Sequence, residues 1–369
     1  MTVYFPGLTI RQSEIEALRR LAEPTKDALF PLIRMQAWPN PKIGKGGPIE
    51  RSLDHLTEAF GQRNVGLDLA AIPSPPKNDL KTESRKAWSE LRRAEMQTLR
   101  DPANGYKNWC DLIERDAKWI PVLQWGGDPS TIQSQALRLA SFGRGIIIRF
   151  RRSQNWNITE AASLTGIPFG DMPVLLVYDY EQISRSDDLT AVGIGVQGAI
   201  ISTNSLLNGG NRDHVFMASS FPESFKSEGE EYACMQIKER RLHEMLSTSP
   251  VIRNAGIDLK YGDHAAVFAS DREDAFKGVP RVDYPTKGEW IYHRRREGFH
   301  DAAHRVKNDP KWDDENLCWG AQRIREAASG KMEGLNAAPR WTAIRINIHL
   351  HVQAHSAGVA LGTDEPWTD

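Results

Sequence analysis

Short apolar runs alternate with amphipathic stretches about eight times along this chain. The apolar runs predict β-strands near Val3–Ile10, Ala28–Trp38, Val65–Ala70, Trp119–Trp125, Gly145–Arg151, Met172–Tyr180, His214–Ser219 and Leu259–Val267. Apolar residues at helical spacing predict helices between them, including Ile15–Ala22, Ile49–Phe60, Leu80–Leu99, Thr131–Ser141 and Glu230–Leu246. Alternating strands and helices favour a parallel sheet, because parallel neighbours need a crossover that a helix normally supplies.

Eight such units fit a closed (β/α)8 barrel, a fold that usually takes about 250 residues. We therefore predict a TIM-like barrel over residues 1–270 and a C-terminal α/β extension packed on it over residues 271–369. Within the extension, the pattern predicts a strand at Glu289–His293 and a helix at Asn316–Ser329. Apolar and polar residues alternate along Trp341–Gln353, which predicts a half-buried strand.

The composition is that of an ordinary soluble protein and excludes several functional classes. The 369 residues carry a formal net charge of −1, so no chain-wide positive field attracts nucleic acid or an anionic membrane. We predict that no apolar run approaches the roughly 18–20 residues that cross a bilayer, and the N-terminus does not resemble a signal peptide. Cys110, Cys234 and Cys318 are too far apart to predict a disulfide framework or a thiolate zinc site. We expect a cytoplasmic protein with no membrane partner.

Several segments resemble one known family. Val3–Pro6, the Ser13–Leu21 stretch with its Glu-x-x-Ala-Leu-x-x-Leu pattern, and Phe30–Ile33 resemble the opening of the "beta protein" family of phages and bacteria. Tyr261–His264 resembles the family's Tyr-Gly-Asp-aromatic segment, with His264 in place of the aromatic residue, and Trp290–Tyr292 fits the stretch that follows. The resemblance implies a barrel-like fold and a setting in prophage or phage-defence loci. It brings no catalytic mechanism.

Polar residues interrupt the predicted strands, mostly in the later half, where barrels of this kind carry their active sites. These residues are Arg34, Asp68, Gln124, Arg149, Asp179 and Asp263. Alternate residues of a barrel strand point into the lumen, so Arg149 and Arg151 share one face of their strand. Two guanidiniums on one face are suited to a phosphate or carboxylate, which each can bind through two hydrogen bonds.

Two interpretations of these residues stay open. In the first, they form an anion site in which Asp263 or Asp179 acts as a catalytic general base or metal ligand. The ligand-binding residues would then be Arg34, Asp68, Gln124, Arg149, Arg151, Tyr261 and His264. In the second, the arginines and aspartates neutralise one another and close the top of the barrel.

Other motifs have simpler explanations. Gly193–Gly198 matches Gly-x-Gly-x-x-Gly, but no predicted strand precedes it, so close helix packing is favoured over a dinucleotide site. Gly126–Ser130 opens a helix and either binds phosphate there or supplies a helix cap. His349, His351 and His355 can be interpreted as metal ligands, but a solvated polar face is favoured, and we predict no metal site.

One basic and aromatic cluster stands out. Trp290, Tyr292, Arg294 and Arg295 combine rings and cations, which is how proteins hold single-stranded nucleic acid. A structural or partner-facing patch is favoured over this reading, because nearby glutamates weaken the field.

The leading functional hypothesis is a cytoplasmic phage-related or phage-defence factor. Its barrel mouth would bind a phosphorylated ligand, either a nucleotide or a nucleic acid, and as an enzyme it would be a hydrolase acting on that ligand. The alternative is a non-enzymatic scaffold in a defence or prophage system, whose extension docks a protein partner encoded nearby. The sequence leaves the choice between them open and identifies no cofactor.

Overall fold

The backbone is built around a parallel sheet whose two edges meet. The computed structural model describes residues 3–41, 46–75, 82–207, 211–223, 231–269 and 280–356. Its strands are β1 (Phe5–Thr9), β2 (Leu32–Met35), β3 (Val65–Leu69), β4 (Trp119–Pro121), β5 (Ile146–Arg151), β6 (Val174–Gln182), β7 (Arg212–Ser219), β8 (Tyr232–Gln236), β9 (Leu259–Asp263), β10 (Arg281–Pro285) and β11 (Glu289–Arg294). Eight of them pair in the order β4-β3-β2-β1-β9-β7-β6-β5, all in parallel.

The edge strands β4 and β5 approach each other and nearly close the sheet. Val122, just after β4, forms a parallel bridge with Ile147 of β5, and the Leu123 amide donates to the Ile147 carbonyl at 2.8 Å. This nearly closed eight-stranded parallel sheet, flanked by helices, is consistent with the predicted (β/α)8 barrel.

Helices follow most of the barrel strands and cover their outer faces. They are α1 (Gln12–Arg19), α2 (Glu23–Asp27), α3 (Pro48–Phe60), α4 (Glu83–Leu99), α5 (Ala103–Glu114), α6 (Pro129–Ser141), α7 (Ile158–Ala161), α8 (Leu189–Leu206), α9 (Lys238–Ser247), α10 (Pro250–Asn254), α11 (Phe299–Lys307), α12 (Trp319–Ala328) and α13 (Ala338–Ser356). In α3, Pro48 suits the first turn, while Ile49, Leu53, Leu56 and Phe60 recur at helical spacing and are buried.

Side chains fill the barrel interior below its mouth. A distinct apolar cluster comes from the strands and from the residue directly after β4: Phe5, Leu32, Val122, Ile147, Val177, Val215 and Met217. Gly66 of β3 leaves room for this packing, since a Cβ there would lie 2.5 Å from Cδ1 of Ile147. The lumen is therefore a packed core, and polar chemistry is confined to the strand ends.

Helix α8 is unusual among the outer helices because it carries no charged residue. It is long and apolar enough to cross a membrane by length and composition, whereas the sequence had predicted no such run. Val192, Val196 and Ile200 are buried beside the barrel, as expected for a core-facing helix of a globular protein. It also contains Gly193–Gly198, as the helix-packing interpretation predicted.

A second, antiparallel sheet has the strand order β10-β11-β8. It combines β8, which precedes residue 270, with two strands that follow it, so the division of the chain at residue 270 stays a prediction. The strand predicted at Glu289–His293 is present as β11, and the helix predicted at Asn316–Ser329 contains α12. The single helix predicted over Glu230–Leu246 is wrong over its first part, because the β-prone residues from Tyr232 onward pair with β11.

The strand predicted at Trp341–Gln353 is also wrong, since this segment lies within helix α13. Ile344, Ile346, Ile348 and Leu350 are buried, but so are the polar residues between them. Asn347 shows how: its amide donates to the Ala17 carbonyl at 3.0 Å and accepts from the Gly320 amide at 2.9 Å. A helix that is buried on all sides has no single apolar stripe. Its apolar residues therefore do not recur every 3.6 residues, and the segment was mistaken for a strand.

Candidate functional site

Most of the predicted polar residues meet at the C-terminal end of the barrel, which we call the mouth. Arg34 lies on β2 opposite Asp68 on β3, and Arg149 and Asp179 lie on β5 and β6. Gln124 lies three residues beyond the end of β4. Arg34, Gln124, Arg149 and Asp179 each lie two residues after a member of the apolar lumen cluster. Asp68 lies two residues after Gly66, which packs against that cluster. The polar residues of the mouth and the apolar residues of the lumen therefore lie on the same faces of the strands.

Arg149 is the centre of this mouth. Its Nη1 donates to Oδ2 of Asp68 at 2.7 Å, and its Nε donates to Oδ2 of Asp179 at 3.0 Å. A further bond runs from Nη2 to the same Asp179 oxygen. Gln124 extends the network by donating from Nε2 to Oδ1 of Asp68 at 2.9 Å. Arg149 is thereby held between two carboxylates, in a geometry typical of a strong ion pair.

Burial and charge act against each other in this pair. Burial alone would raise the pKa of Asp179, but His264 and Arg149 outweigh it and hold that pKa far below its ordinary value. Burial alone would likewise lower the pKa of Arg149, but Asp179 and Asp68 raise it above its ordinary value. Both groups therefore stay charged at neutral pH.

His264 completes a histidine–carboxylate pair at the mouth. Its Nε2 lies 3.0 Å from Oδ1 of Asp179, and the side chain is only 4% exposed. A Cβ on Gly7 would lie 3.2 Å from Nδ1 of His264, so glycine leaves room for the ring. Nδ1 of His264 and the hydroxyl of Thr9, two residues beyond Gly7 on β1, are two of the nine buried side-chain atoms in the described residues that have no hydrogen-bond partner. A buried polar atom without a partner is costly, so each one calls for an explanation such as a functional role or a bound water.

A second ion pair lies beside the first. Arg151 donates from Nε to Oε1 of Glu181 at 3.0 Å, and the pair is partly exposed. Glu181 adopts a φ of 67°, which turns its own amide onto Oδ1 of Asp179 at 2.8 Å. A non-glycine residue in this conformation is strained, and strain of this kind clusters at functional sites. Sequence reasoning missed Glu181, although its position two residues after Asp179 was the available signal.

Asp263 and Tyr261 do not join the mouth. Oδ2 of Asp263 accepts from the Tyr261 hydroxyl at 2.8 Å and lies 2.8 Å from Nε2 of His349 on α13. The Tyr4 hydroxyl donates to the other oxygen. In β9 it is Gly262 that contacts the lumen residues, so its neighbours face the helices. The sequence had grouped Asp263 with the residues that point into the lumen. In the structure Gly262 faces the lumen, so Asp263, the next residue, faces the outer helices.

The residues predicted to bind nucleic acid do not form an exposed stacking surface. Trp290 and Tyr292 are each 1% exposed, and Trp290 packs edge-on against Phe221 with ring centroids 5.3 Å apart. Arg294 lies over the Tyr292 ring, and Arg295 pairs with a glutamate. Rings buried in this way are not available to stack on bases.

The Gly126–Ser130 segment follows its simpler explanation, whereas the three histidines do not form the predicted solvated face. Asp128 caps α6 by accepting from the Thr131 amide at 2.7 Å, which accounts for the Gly126–Ser130 segment. A solvated polar face was predicted for His349, His351 and His355, and this is wrong, because His349 is fully buried against Asp263. His351 lies 3.4 Å from the Thr25 hydroxyl, and its ring packs on that of His355 with centroids 3.8 Å apart. Within the described ranges, no group of three histidine, cysteine or acidic residues is placed to bind a metal ion.

The fold and this mouth define the class: an α/β protein with a nearly closed parallel barrel and a buried charged cluster at its C-terminal end. The family model described as "Beta protein" matches residues 4–355. The chain therefore belongs to the Beta protein family, as the resemblance predicted. "Protein beta" of Enterobacteria phage P4 is similar to it, with 27% identity over 372 residues, covering 95% of this chain and 92% of the relative. No solved structure matches the chain significantly.

Proposed function

We propose that the barrel mouth binds a phosphorylated ligand and that His264, oriented by Asp179, serves as a general base in its hydrolysis. The observation that carries the proposal is the unpartnered Nδ1 of His264, buried at the functional end of the barrel while Nε2 contacts Asp179. A carboxylate that fixes one ring nitrogen leaves the other free to exchange a proton with a substrate or a water.

The arginines of the mouth could bind an anionic ligand, although carboxylates balance their charge. Arg34, Arg149 and Arg151 are matched in number by Asp68, Asp179 and Glu181. These six side chains are therefore formally neutral as a group. A phosphate ester suits this arrangement, because guanidinium groups bind it through paired hydrogen bonds.

Ligand binding is tested by the thermal unfolding of the full chain. Inorganic phosphate, a nucleoside monophosphate, a nucleoside triphosphate and a single-stranded oligonucleotide serve as probes. A probe at a hundred times its Kd stabilises the folded state by about 2.7 kcal/mol, which appears as a raised Tm. His264→Gln keeps a donor for Asp179 but removes the base, so we expect ligand binding to persist while phosphate release falls about a hundredfold.

The matched control is His300→Gln, which alters an exposed histidine of α11 far along the chain from the mouth. It should leave both binding and phosphate release unchanged. The proposal fails when no probe raises the Tm, and its hydrolytic part fails when His264→Gln releases phosphate at the wild-type rate.

A second candidate function is a non-enzymatic scaffold that docks a protein partner. The observation favouring it is the closure of the mouth, since Arg34 and Asp68 are each 8% exposed and Arg149 is 5% exposed. In that case the ion pairs only close the barrel. Binding of a partner encoded nearby, with no binding of any phosphorylated probe, would favour the scaffold. Both candidates take the protein to act in the cytoplasm.

A further inference from the structure

A cavity of about 290 Å³ lies at the end of the barrel opposite the mouth, where the strands begin. Each of the eight barrel strands contributes to its wall, through one of its first two residues or through a residue just before it. Phe5, Ile120 and Leu175 are such residues of β1, β4 and β6, and Phe30 precedes β2 by two positions. The wall therefore surrounds the axis of the barrel.

Packed side chains separate this cavity from the mouth. Phe5 and Ile147 line the cavity and also belong to the apolar lumen cluster. Other members of that cluster, such as Val177 and Met217, lie further along their strands and fill the barrel towards the mouth. A ligand in the cavity therefore occupies a site of its own, whichever function the mouth has.

The wall of the cavity is largely apolar. Val3, Phe30, Ile120 and Leu175 pack against the lumen cluster but are only partly buried, so they present apolar surface to the cavity. An apolar ligand gains by covering such a surface, because both lose contact with water. An engineered apolar cavity of about 150 Å³ binds benzene, so one of twice that volume accommodates about twelve non-hydrogen atoms.

Three charged residues also line the cavity: Arg144, Asp213 and Lys260. Lys260 and Asp213 compensate each other, since Nζ lies 2.5 Å from Oδ1. Arg144 donates from Nη1 to the Asp116 carbonyl at 2.5 Å and from Nη2 to the Ile113 carbonyl at 2.8 Å. These carbonyls carry no formal charge, and the buried Nε of Arg144 has no partner among the described residues. The cavity therefore has one cation that no carboxylate compensates.

We propose that this cavity binds a carboxylic acid with an apolar body, of the size of a medium-chain fatty acid. The apolar body covers Phe30, Ile120 and Leu175, and the carboxylate accepts hydrogen bonds from Arg144. One uncompensated guanidinium accounts for one anionic group, which it binds through charge-assisted hydrogen bonds. A nucleotide would instead bring several negative charges against an apolar wall, which is costly.

The test is isothermal titration calorimetry of the full chain with decanoate, whose ten carbons and two oxygens match the cavity. The neutral analogue decanol is the second probe, and both are kept below the concentrations at which they aggregate. Decanoate should bind once per chain, with a negative heat-capacity change that reports burial of apolar surface. Decanol should bind about tenfold more weakly. Arg144→Gln should weaken decanoate about tenfold, through loss of a charged hydrogen bond, and leave decanol unchanged.

Filling the cavity is the complementary test. Leu175→Trp should weaken the binding of decanoate by tenfold or more. Ile120→Phe adds less volume on another strand and serves if the tryptophan disturbs the packing of the barrel, which thermal unfolding of the free variants shows. Leu137→Trp is the matched control, because this leucine of α6 is 51% exposed and lies outside the cavity wall, so binding should not change.

Three results would overturn the proposal. The first is the absence of decanoate binding to the wild-type chain. The second is wild-type affinity in both Leu175→Trp and Ile120→Phe, which would place the ligand elsewhere. The third is equal affinity for decanol and decanoate, because an anionic ligand held by Arg144 requires the carboxylate.

Discussion

At the scale of single residues, Asp179 organises the mouth. Its two oxygens contact Arg149, His264 and the amide of Glu181, and the side chain is fully buried. A buried ion pair contributes little net stability compared with apolar residues, but removing one partner leaves the other charge uncompensated. Asp179 therefore affects folding as well as any chemistry at His264.

We predict that Asp179→Asn lowers the free energy of unfolding by about 3 kcal/mol, the low end for a broken buried pair because Asp68 still faces Arg149. Urea denaturation of the full chain measures this change. Asp54→Asn, an exposed aspartate on α3, should change it by less than about 0.5 kcal/mol. Equal stability of the two variants would mean that Asp68 alone compensates Arg149.

Sequence reasoning found the members of the mouth but not their connections. Arg34, Asp68, Gln124, Arg149 and Asp179 stood out because each interrupts an apolar strand. Which carboxylate faces which arginine depends on the stagger of the strands around the barrel. This stagger cannot be derived from a single sequence.

The direction of the side chains on β9, the last barrel strand, was also difficult to predict. Asp263 and His264 are adjacent, so an error of one residue exchanges their faces. Gly262, which has no side chain to reveal its direction, removed the usual apolar marker of the lumen face. The histidine was therefore assigned to ligand binding and Asp263 to catalysis, whereas in the structure His264 contacts Asp179 at the mouth and Asp263 contacts His349 of α13.

At the scale of elements, α13 is tied to the barrel by the polar cluster around Asp263. Burial alone would raise the pKa of that carboxyl, but His349 and the Tyr4 hydroxyl lower it from 3.8 to about 2. A lowered pKa in the folded state means stability that is present above about pH 4 and lost as the pH falls towards 2. The attachment of α13 should therefore weaken in acid.

We predict that the wild-type protein loses roughly 2 kcal/mol of stability from this group between pH 4 and pH 2. Asp263→Asn should be less stable at neutral pH and should lose less as the pH falls, because it has no carboxylate to protonate. Urea denaturation across that range measures both. Parallel pH profiles for the two proteins would contradict the prediction, and Asp54→Asn should follow the wild type.

The elements also show where pattern reasoning works. The barrel strands were predictable because both of their faces are buried, which gives short continuous apolar runs. Helix α13 was not, because its polar residues Arg345, Asn347 and His349 all have buried partners and so alternate with isoleucines as a strand would. Strand β8 was missed because a short, half-buried edge strand resembles the start of a helix.

At the scale of the whole molecule, the family and the fold constrain function in different ways. The match to the Beta protein family and to a phage P4 protein places the chain among phage-associated proteins. The barrel says where a site lies without saying what it does, because one barrel supports many reactions. The mouth is the place in this fold where we propose that a ligand binds.

A role of the mouth in phage defence can be tested by phage plating. Cells carrying the gene with its native neighbours should show a reduced plating efficiency of phages, and His264→Gln should restore plating while the protein stays folded. The reason is that the variant keeps the contact to Asp179 but has no base at the Nδ1 position. His300→Gln should protect as the wild type does. Equal protection by His264→Gln would remove the base from the mechanism and favour the scaffold, because docking a partner does not need a proton acceptor in the mouth.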